Sequence, residues 1–136
     1  MLFQRRESMK YTQKQIDKYH RQKYIAELEK IAKNLFRMFR DVRIDAKNLA
    51  NKLEQLKKKL DEKTEVQLDS EYHRQLKTYI QTVYEQVCLS KEFDDIRLNE
   101  MREVQMTRLN RLQKMKNQAT YKKEKHKSNH HSEDWS

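Results

Sequence analysis

Large apolar residues in the stretch LNEMREVQMTRLNRLQKM (98–115) form two matching triplets, eleven positions apart. The triplets are Leu98, Met101, Val104 and Leu109, Leu112, Met115. Eleven residues complete three turns of an α-helix, so all six side chains fall on one side of a nearly straight helix. The pattern predicts a long amphipathic helix whose apolar stripe packs against an equally long partner.

A second stripe runs through the first half of the chain, with steps that alternate between three and four residues. Its members are Leu28, Ile31, Leu35, Met38, Val42, Ala46, Leu49, Leu53, Leu56 and Leu60. Two consecutive steps of four meet at Val42, and we expect them only to relax the supercoil of one continuous helix. Thr12 and Gln15 have the spacing of a capping box, which predicts that this helix begins near Thr12.

A polar stretch, DEKTEVQLDSEY (61–72), separates the two stripes. Thr64 with Gln67, and also Ser70, are candidate N-caps for a second helix. The sequence therefore predicts a basic segment over residues 1–10, helix 11–62, a turn at 63–69, helix 70–122 and a flexible, basic, histidine-containing tail at 123–136. The alternative is a single helix through the turn, because polar caps stop a helix less firmly than glycine or proline.

Two helices of similar length with compatible stripes predict an all-α fold. In this fold they form an antiparallel helical hairpin or coiled coil, alone or in a larger bundle with a partner chain. A turn centred near residue 66 would also place basic side chains of the first helix opposite acidic side chains of the second. The expected pairs are Arg40–Glu92, Arg37–Asp95, Lys33–Glu100 and Lys30–Glu103. Exposed pairs contribute only about 0–1 kcal/mol each, but they would select this register.

Composition supports elongated helices. The chain of 136 residues has no glycine and no proline, and it is 35% hydrophobic and 38% charged. Typical globular domains are roughly 45–50% apolar and 25% charged, so we expect too little apolar surface for a compact core. Without glycine, phosphate-binding loops and strained nucleophile turns are excluded.

The single cysteine, Cys88, excludes an intramolecular disulfide and favours an intracellular, cytoplasmic location, with a mitochondrial or nuclear one as alternatives. No apolar run reaches the roughly 18 residues that a membrane span needs. We find no catalytic constellation and expect no enzyme, no cofactor and no structural metal. His126, His130 and His131 lie in the stretch KKEKHKSNHHS, whose composition is typical of a frayed helix end, so the histidine cluster is a weak metal candidate.

Aromatic and aliphatic residues beyond the main stripes favour a role in protein–protein interaction. The residues expected to dock against another chain are Ile25, Phe36, Phe39, Tyr79 and Tyr84. Large apolar side chains outside a helical seam would otherwise lie in water. The first hypothesis is therefore a non-enzymatic structural or adaptor subunit, a scaffold that docks into a larger protein assembly or associates with itself.

The formal net charge of +10 supports an alternative hypothesis. In the hairpin, the two basic ends of the chain would meet and form a polyanion-binding patch with interleaved tyrosines. Its residues would be Arg5, Arg6, Lys10, Arg108, Arg111, Lys114, Lys122, Lys123, Lys125 and Lys127. Such a patch can neutralise phosphates and stack on bases, which predicts an RNA- or DNA-associated protein, for example a ribonucleoprotein accessory subunit.

Overall fold

The computed structural model describes residues 11–123, with side chains to residue 118, and this part of the chain is helical with no strand. The elements are α1 (Gln13–Arg40), α2 (Ala46–Asp61), α3 (Glu71–Tyr84) with a π-helical continuation (Glu85–Leu89), and α4 (Asp95–Lys123). Within residues 11–123 the all-α prediction is confirmed, but four helices take the place of the two that were predicted. No helix within residues 11–123 has both the length and the hydropathy needed to cross a membrane.

Consecutive helices run in opposite directions. Tyr84 Oη donates to Glu54 at 3.4 Å, and Cys88 Sγ donates to the Ala50 carbonyl at 3.5 Å. Later residues of α3 and its continuation thus contact earlier residues of α2, so the two are antiparallel. The first and last helices are also antiparallel, because Glu29 contacts Lys116 while Phe39, farther along α1, contacts Arg102. The four helices thus surround a shared core in an up-down-up-down arrangement.

All four helices contribute to this core. The largest fully buried side chains are Phe39, Leu28, Ile31, Leu35, Leu49, Leu53, Leu76, Ile80, Leu98, Leu109 and Val83. Most positions of the two predicted stripes are buried, as their spacing indicated. The expectation that the composition could not supply a compact core is wrong, because four short helices need only one apolar face each to enclose it.

The helix predicted over residues 11–62 is interrupted at residues 41–45. The chain leaves the helix at the two consecutive steps of four, and Val42 is 79% exposed there instead of contributing to a seam. Asp41 N–H still bonds to the Arg37 carbonyl at 3.0 Å, which ends α1. The Asp45 carboxylate then accepts the Asn48 N–H at 2.8 Å and caps α2.

The helix predicted over residues 70–122 is also interrupted. After the π-helical continuation of α3, the chain turns at residues 90–94, where Ser90 Oγ accepts the Glu92 N–H at 3.1 Å. Asp94 accepts the Arg97 N–H at 2.9 Å and begins α4. The turn predicted at 63–69 coincides with the connection between α2 and α3, and Ser70 is the N-cap of α3.

The turns at 41–45 and 90–94 lie side by side at what we name the turn end of the bundle. Asp95 Oδ1 accepts the Ala46 N–H at 2.7 Å, so a side chain of α4 satisfies the start of α2. The buried Arg102 guanidinium donates to the carbonyls of Phe39, Asp41 and Ile44 at 2.8–2.9 Å. These bonds hold the end of α1 and the turn at residues 41–45 against α4.

Candidate polyanion-binding surface

A row of four basic side chains follows the outer face of α1. Lys30, Lys33, Arg37 and Arg40 are separated by three, four and three residues, and all four are exposed. This spacing places them on one helix face along roughly 15 Å of the axis, at 1.5 Å per residue. We name these residues the α1 cationic row.

The charge of the α1 cationic row is not compensated. The sequence from Lys30 to Arg40 contains no acidic residue. Among the described side chains, none of the four forms an ion pair. Arg40 lies over the Phe36 ring, 5.6 Å from its centroid, and this contact leaves its charge in place.

The four ion pairs predicted between this row and the acidic segment do not form in the described part of the chain. The turns at the turn end change the register that the hairpin would impose. Lys116 of α4 lies 3.4 Å from Glu29, whereas the hairpin placed Glu103 opposite Lys30. The four cations that the hairpin register would have neutralised therefore lie on an open basic surface.

The second half of α4 is also basic. The sequence from Val104 to Lys123 has no acidic residue, and Arg108, Arg111 and Lys114 are exposed. In the described part of this stretch, only Lys116 forms an ion pair. The structure therefore has uncompensated basic side chains on the outer surfaces of both α1 and α4.

The predicted polyanion-binding patch is only partly described. Arg108, Arg111 and Lys114 lie on the exposed surface of α4. Lys122 and Lys123 belong to the last turn of α4, but their side chains lie outside the described part. The remaining members, Arg5, Arg6, Lys10, Lys125 and Lys127, lie outside the described residues, as do the three histidines of the weak metal candidate, His126, His130 and His131.

The predicted docking residues lie inside the bundle or against its core. Phe36, Phe39 and Tyr79 are buried, and Ile25 and Tyr84 are partly buried against the core. Tyr79 Oη donates to Gln105 Oε1 at 2.9 Å within the core. Their apolar surface is used between helices of the same chain, which leaves little of it for another protein.

Other apolar side chains are exposed instead. Three of them, Val42, Leu89 and Ile96, are 79%, 61% and 70% exposed, and each lies within or next to a turn at the turn end. The sequence-based interpretation missed Val42 and Ile96, since it placed Val42 in a seam and took residues near 90 as mid-helix. The Asp and Ser residues that flank the two turns were the available signal.

Polar side chains of α1, α3 and α4 meet in one hydrogen-bonded and ion-paired group. His73 Nε2 donates to Glu29 Oε2 at 3.1 Å, and Lys116 Nζ lies 3.4 Å from the same oxygen. The His73 hydrogen bond lowers the pKa of Glu29, burial opposes this effect, and the Lys116 charge adds to it. A carboxylate held in this way joins three helices.

No reactive group emerges among the described residues. Burial, with a smaller contribution from the Glu54 charge, raises the pKa of the Cys88 thiol to about 12, so it stays protonated at neutral pH. Within residues 11–123 no group of three or more His, Cys, Asp or Glu side chains could hold a metal ion. The α1 cationic row and the basic second half of α4 therefore remain the candidate site on the described surface.

Comparison with known proteins adds no constraint. No protein-family model, curated protein or solved structure matches the chain. The function must therefore be inferred from the geometry and charge of the bundle.

Proposed function

We propose that the protein is a non-enzymatic nucleic-acid-binding protein that contacts the phosphate backbone of RNA or DNA through the α1 cationic row. The observation that carries the proposal is four exposed cations in line on one helix face, with no acidic residue between them and no ion pair among the described side chains. Neutralising phosphates with such side chains releases condensed counterions, which favours binding and makes it sensitive to salt.

The core fixes the spacing of the row. Leu28, Ile31, Leu35 and Phe39 on the opposite side of α1 have no exposed surface, so the helix cannot rotate without opening the bundle. A rigid row of cations can follow a phosphate backbone without rearranging. Contacts to phosphates carry no base information, so we expect binding that is largely independent of sequence.

The surroundings of the row favour nucleic acid over an acidic protein. Protein interfaces usually have an apolar centre with a polar rim. The side chain interleaved with the row on the outer face, Asn34, is polar, and the apolar neighbour Phe36 is buried beneath Arg40. A hydrated phosphate backbone needs no apolar contact, and it suits such a surface better.

A salt titration with charge-matched variants tests the proposal. Arg37→Gln/Arg40→Gln removes two cations from the row, and Lys91→Gln/Arg97→Gln removes two exposed cations beside Glu92 and Asp94. Fluorescence anisotropy would follow binding to labelled duplexes of about 20 base pairs of DNA or RNA, longer than the row. We expect the row variant to lower the log–log salt slope by about 2 and the control variant by much less.

Two results would contradict the proposal. The first is an absence of binding by the wild-type chain at low salt. The second is an equal loss of affinity in both variants, because the net charge alone would then explain the attraction.

The role of structural or adaptor subunit remains a second candidate because of the turn end. Aliphatic surface is exposed to solvent at Val42, Leu89 and Ile96. This exposure does not stabilise a monomer, and clustered apolar surface is typical of an interaction site. This surface takes the place of the five docking residues predicted from the sequence. It would support docking of another copy of the chain or of a different subunit.

Sedimentation velocity and pull-down from the native source test the adaptor role. Val42→Ser/Ile96→Ser removes apolar surface from the turn end, and Tyr11→Ser/Tyr19→Ser removes exposed aromatic surface near the start of α1 as a control. If the turn end docks, only the first variant loses self-association or a specific partner. An unchanged assembly and partner set in that variant would remove this candidate.

A further inference from the structure

A groove of about 730 Å³ lies between α3 and α4. Its apolar lining comes from Tyr79, Leu112 and Met115. Tyr79 and Leu112 belong to the core, and Met115 is partly buried against it. The base of the groove is therefore fixed by the packing of the bundle, while the flexible thioether of Met115 can adapt to an incoming side chain.

The edges of the groove are basic. Among the described side chains, its basic lining comes from Arg74, Arg108 and Arg111, and Glu71 is the one acidic residue beside them. Glu71 accepts from Arg74 at 2.7 Å, and Arg74 also donates to the Leu68 and Asp69 carbonyls at 3.0 and 2.8 Å. Arg108 and Arg111 form no ion pair among the described side chains. Two guanidinium groups thus remain free to bind an anionic partner.

We infer that this groove docks an acidic amphipathic helix of a partner protein. The stretch from Arg108 to Met115 covers about two turns of α4, roughly 10 Å, which matches apolar side chains at positions i and i+3 or i+4 of a docked helix. Carboxylates on the flanks of that helix would form bidentate hydrogen bonds with Arg108 and Arg111. No acidic residue follows Glu103 in α4, and Glu71, the acid that lines the groove from α3, is paired with Arg74, which limits the repulsion of an acidic partner.

The apolar base of the groove distinguishes this site from the proposed nucleic-acid surface. The α1 cationic row has no apolar centre, whereas a phosphate backbone bound here would cover Leu112 and Met115 without contacting them favourably. The inference concerns a different face of the bundle, so it does not depend on the proposed function.

Model peptides provide the test. A capped peptide of about 14 residues, with leucines on one helical face and glutamates on the other, serves as the acidic probe. A peptide with lysine at every glutamate position and a scrambled acidic peptide serve as controls. Fluorescence anisotropy with the full chain should show saturable binding of the acidic probe, and at least tenfold weaker binding of both controls. Similar affinity for the acidic and scrambled peptides would overturn the inference.

Matched variants locate the binding. Arg111→Gln and Lys114→Gln remove one exposed cation each from the same helix, but only Arg111 lines the groove. We expect about a tenfold loss for Arg111→Gln and less than threefold for Lys114→Gln. Met115→Gln, which keeps the charge, should also weaken the acidic probe about fivefold. Circular dichroism checks that each variant remains folded.

Two further outcomes would reject the groove as a helix-docking site. The first is equal effects of Arg111→Gln and Lys114→Gln, which would indicate attraction by net charge alone. The second is loss of duplex binding in Arg111→Gln with no change in peptide affinity, which would assign the groove to nucleic acid instead.

Discussion

Arg102 is the residue on which the turn end most depends. Its buried guanidinium satisfies the carbonyls of Phe39, Asp41 and Ile44, and Arg102 Nε donates to Asn99. Arg102→Met would leave the Phe39 and Ile44 carbonyls without their side-chain donor, while the Asp41 carbonyl keeps the Ile44 N–H at 3.2 Å. Arg102→Lys keeps three donors on one nitrogen, but it lacks the planar fork with which the guanidinium spans these carbonyls. We expect a loss of about 3–5 kcal/mol in the free energy of unfolding for Arg102→Met and about 2 kcal/mol for Arg102→Lys.

Urea unfolding followed by circular dichroism measures these losses. Arg97→Met is the matched control, because Arg97 is exposed on the same helix, and its effect should stay within about 0.5 kcal/mol. A loss for Arg102→Met no larger than that of the control would show that Arg102 does not hold the turn.

Glu29 makes the stability of the bundle depend on pH. Its pKa is lowered from 4.5 mainly by the His73 hydrogen bond, while burial opposes the shift and the Lys116 charge supports it. A carboxyl group with a lowered pKa in the folded state contributes stability above its unfolded pKa and loses it as pH falls through the folded value. Stability should therefore fall as the pH drops below about 4.5, and Glu29→Gln should show less of this loss.

Urea midpoints between pH 3 and 7 test the role of Glu29. Glu29→Gln should be less stable than the wild type by about 1 kcal/mol near pH 6, with the difference shrinking toward pH 3. Glu100→Gln removes an exposed carboxylate of α4 and should leave the pH profile unchanged. A constant difference between Glu29→Gln and the wild type across this range would mean that ionisation of Glu29 is not linked to folding.

Local signals at the residue scale could be read from the sequence, but long-range partners could not. Thr12 and Gln15 form the capping box that their spacing indicated. Arg102 resembles the exposed arginines around it in sequence, and it is buried only because the chain turns back at residues 41–45. The α1 cationic row was visible as a 3-4-3 spacing, but a hairpin register assigned its members to internal ion pairs.

At the scale of elements, the helices were predictable and two of their three connections were not. The sequence has no glycine or proline, and no described residue has a positive φ angle, so the turns use ordinary backbone conformations. Asp45, Ser70 and Asp94 begin helices by accepting backbone N–H groups. Polar side chains of this kind also occur on helix surfaces, so their spacing alone does not distinguish a cap from an exposed position.

The start of α2 allows a prediction at the element scale. Asp45 accepts the Asn48 N–H at 2.8 Å, while Asp95 of α4 accepts the Ala46 N–H at 2.7 Å. Asp45→Ala and Asp95→Ala should each lower the free energy of unfolding by about 1–2 kcal/mol, because each leaves a helix N–H without its acceptor. The double variant should lose less free energy of unfolding than the sum of the two single losses. A first turn of α2 that is already frayed by one substitution is destabilised less by the other.

Urea unfolding of the two single variants and the double variant gives the coupling energy between the two caps. Asp69→Ala, which removes an exposed acid before the Ser70 cap, provides a control outside the turn end. Strict additivity would mean that the two carboxylates stabilise α2 independently.

At the scale of the whole molecule, the same apolar spacing fits a long rod and a bundle. Steps of three and four define one helix face, and they do not say whether that face packs along a partner or around a core made by the chain itself. The choice depends on where the chain reverses. Here the turns at 41–45 and 90–94 fold each predicted rod into two shorter helices.

A distance measurement distinguishes the bundle from the rod in solution. Lys23 and Lys59 are exposed, and in one continuous helix they would be about 54 Å apart at 1.5 Å per residue. In the bundle, their neighbours Tyr24 and Leu60 line the same groove. With helix axes 8–10 Å apart, we expect about 20 Å between spin labels at these positions.

The measurement is double electron–electron resonance on Lys23→Cys/Lys59→Cys, with Cys88 replaced by alanine. Lys23→Cys/Arg37→Cys, at about 21 Å along α1 in either architecture, calibrates the scale. A dominant distance near 54 Å for the first pair would mean that the turn at residues 41–45 does not form.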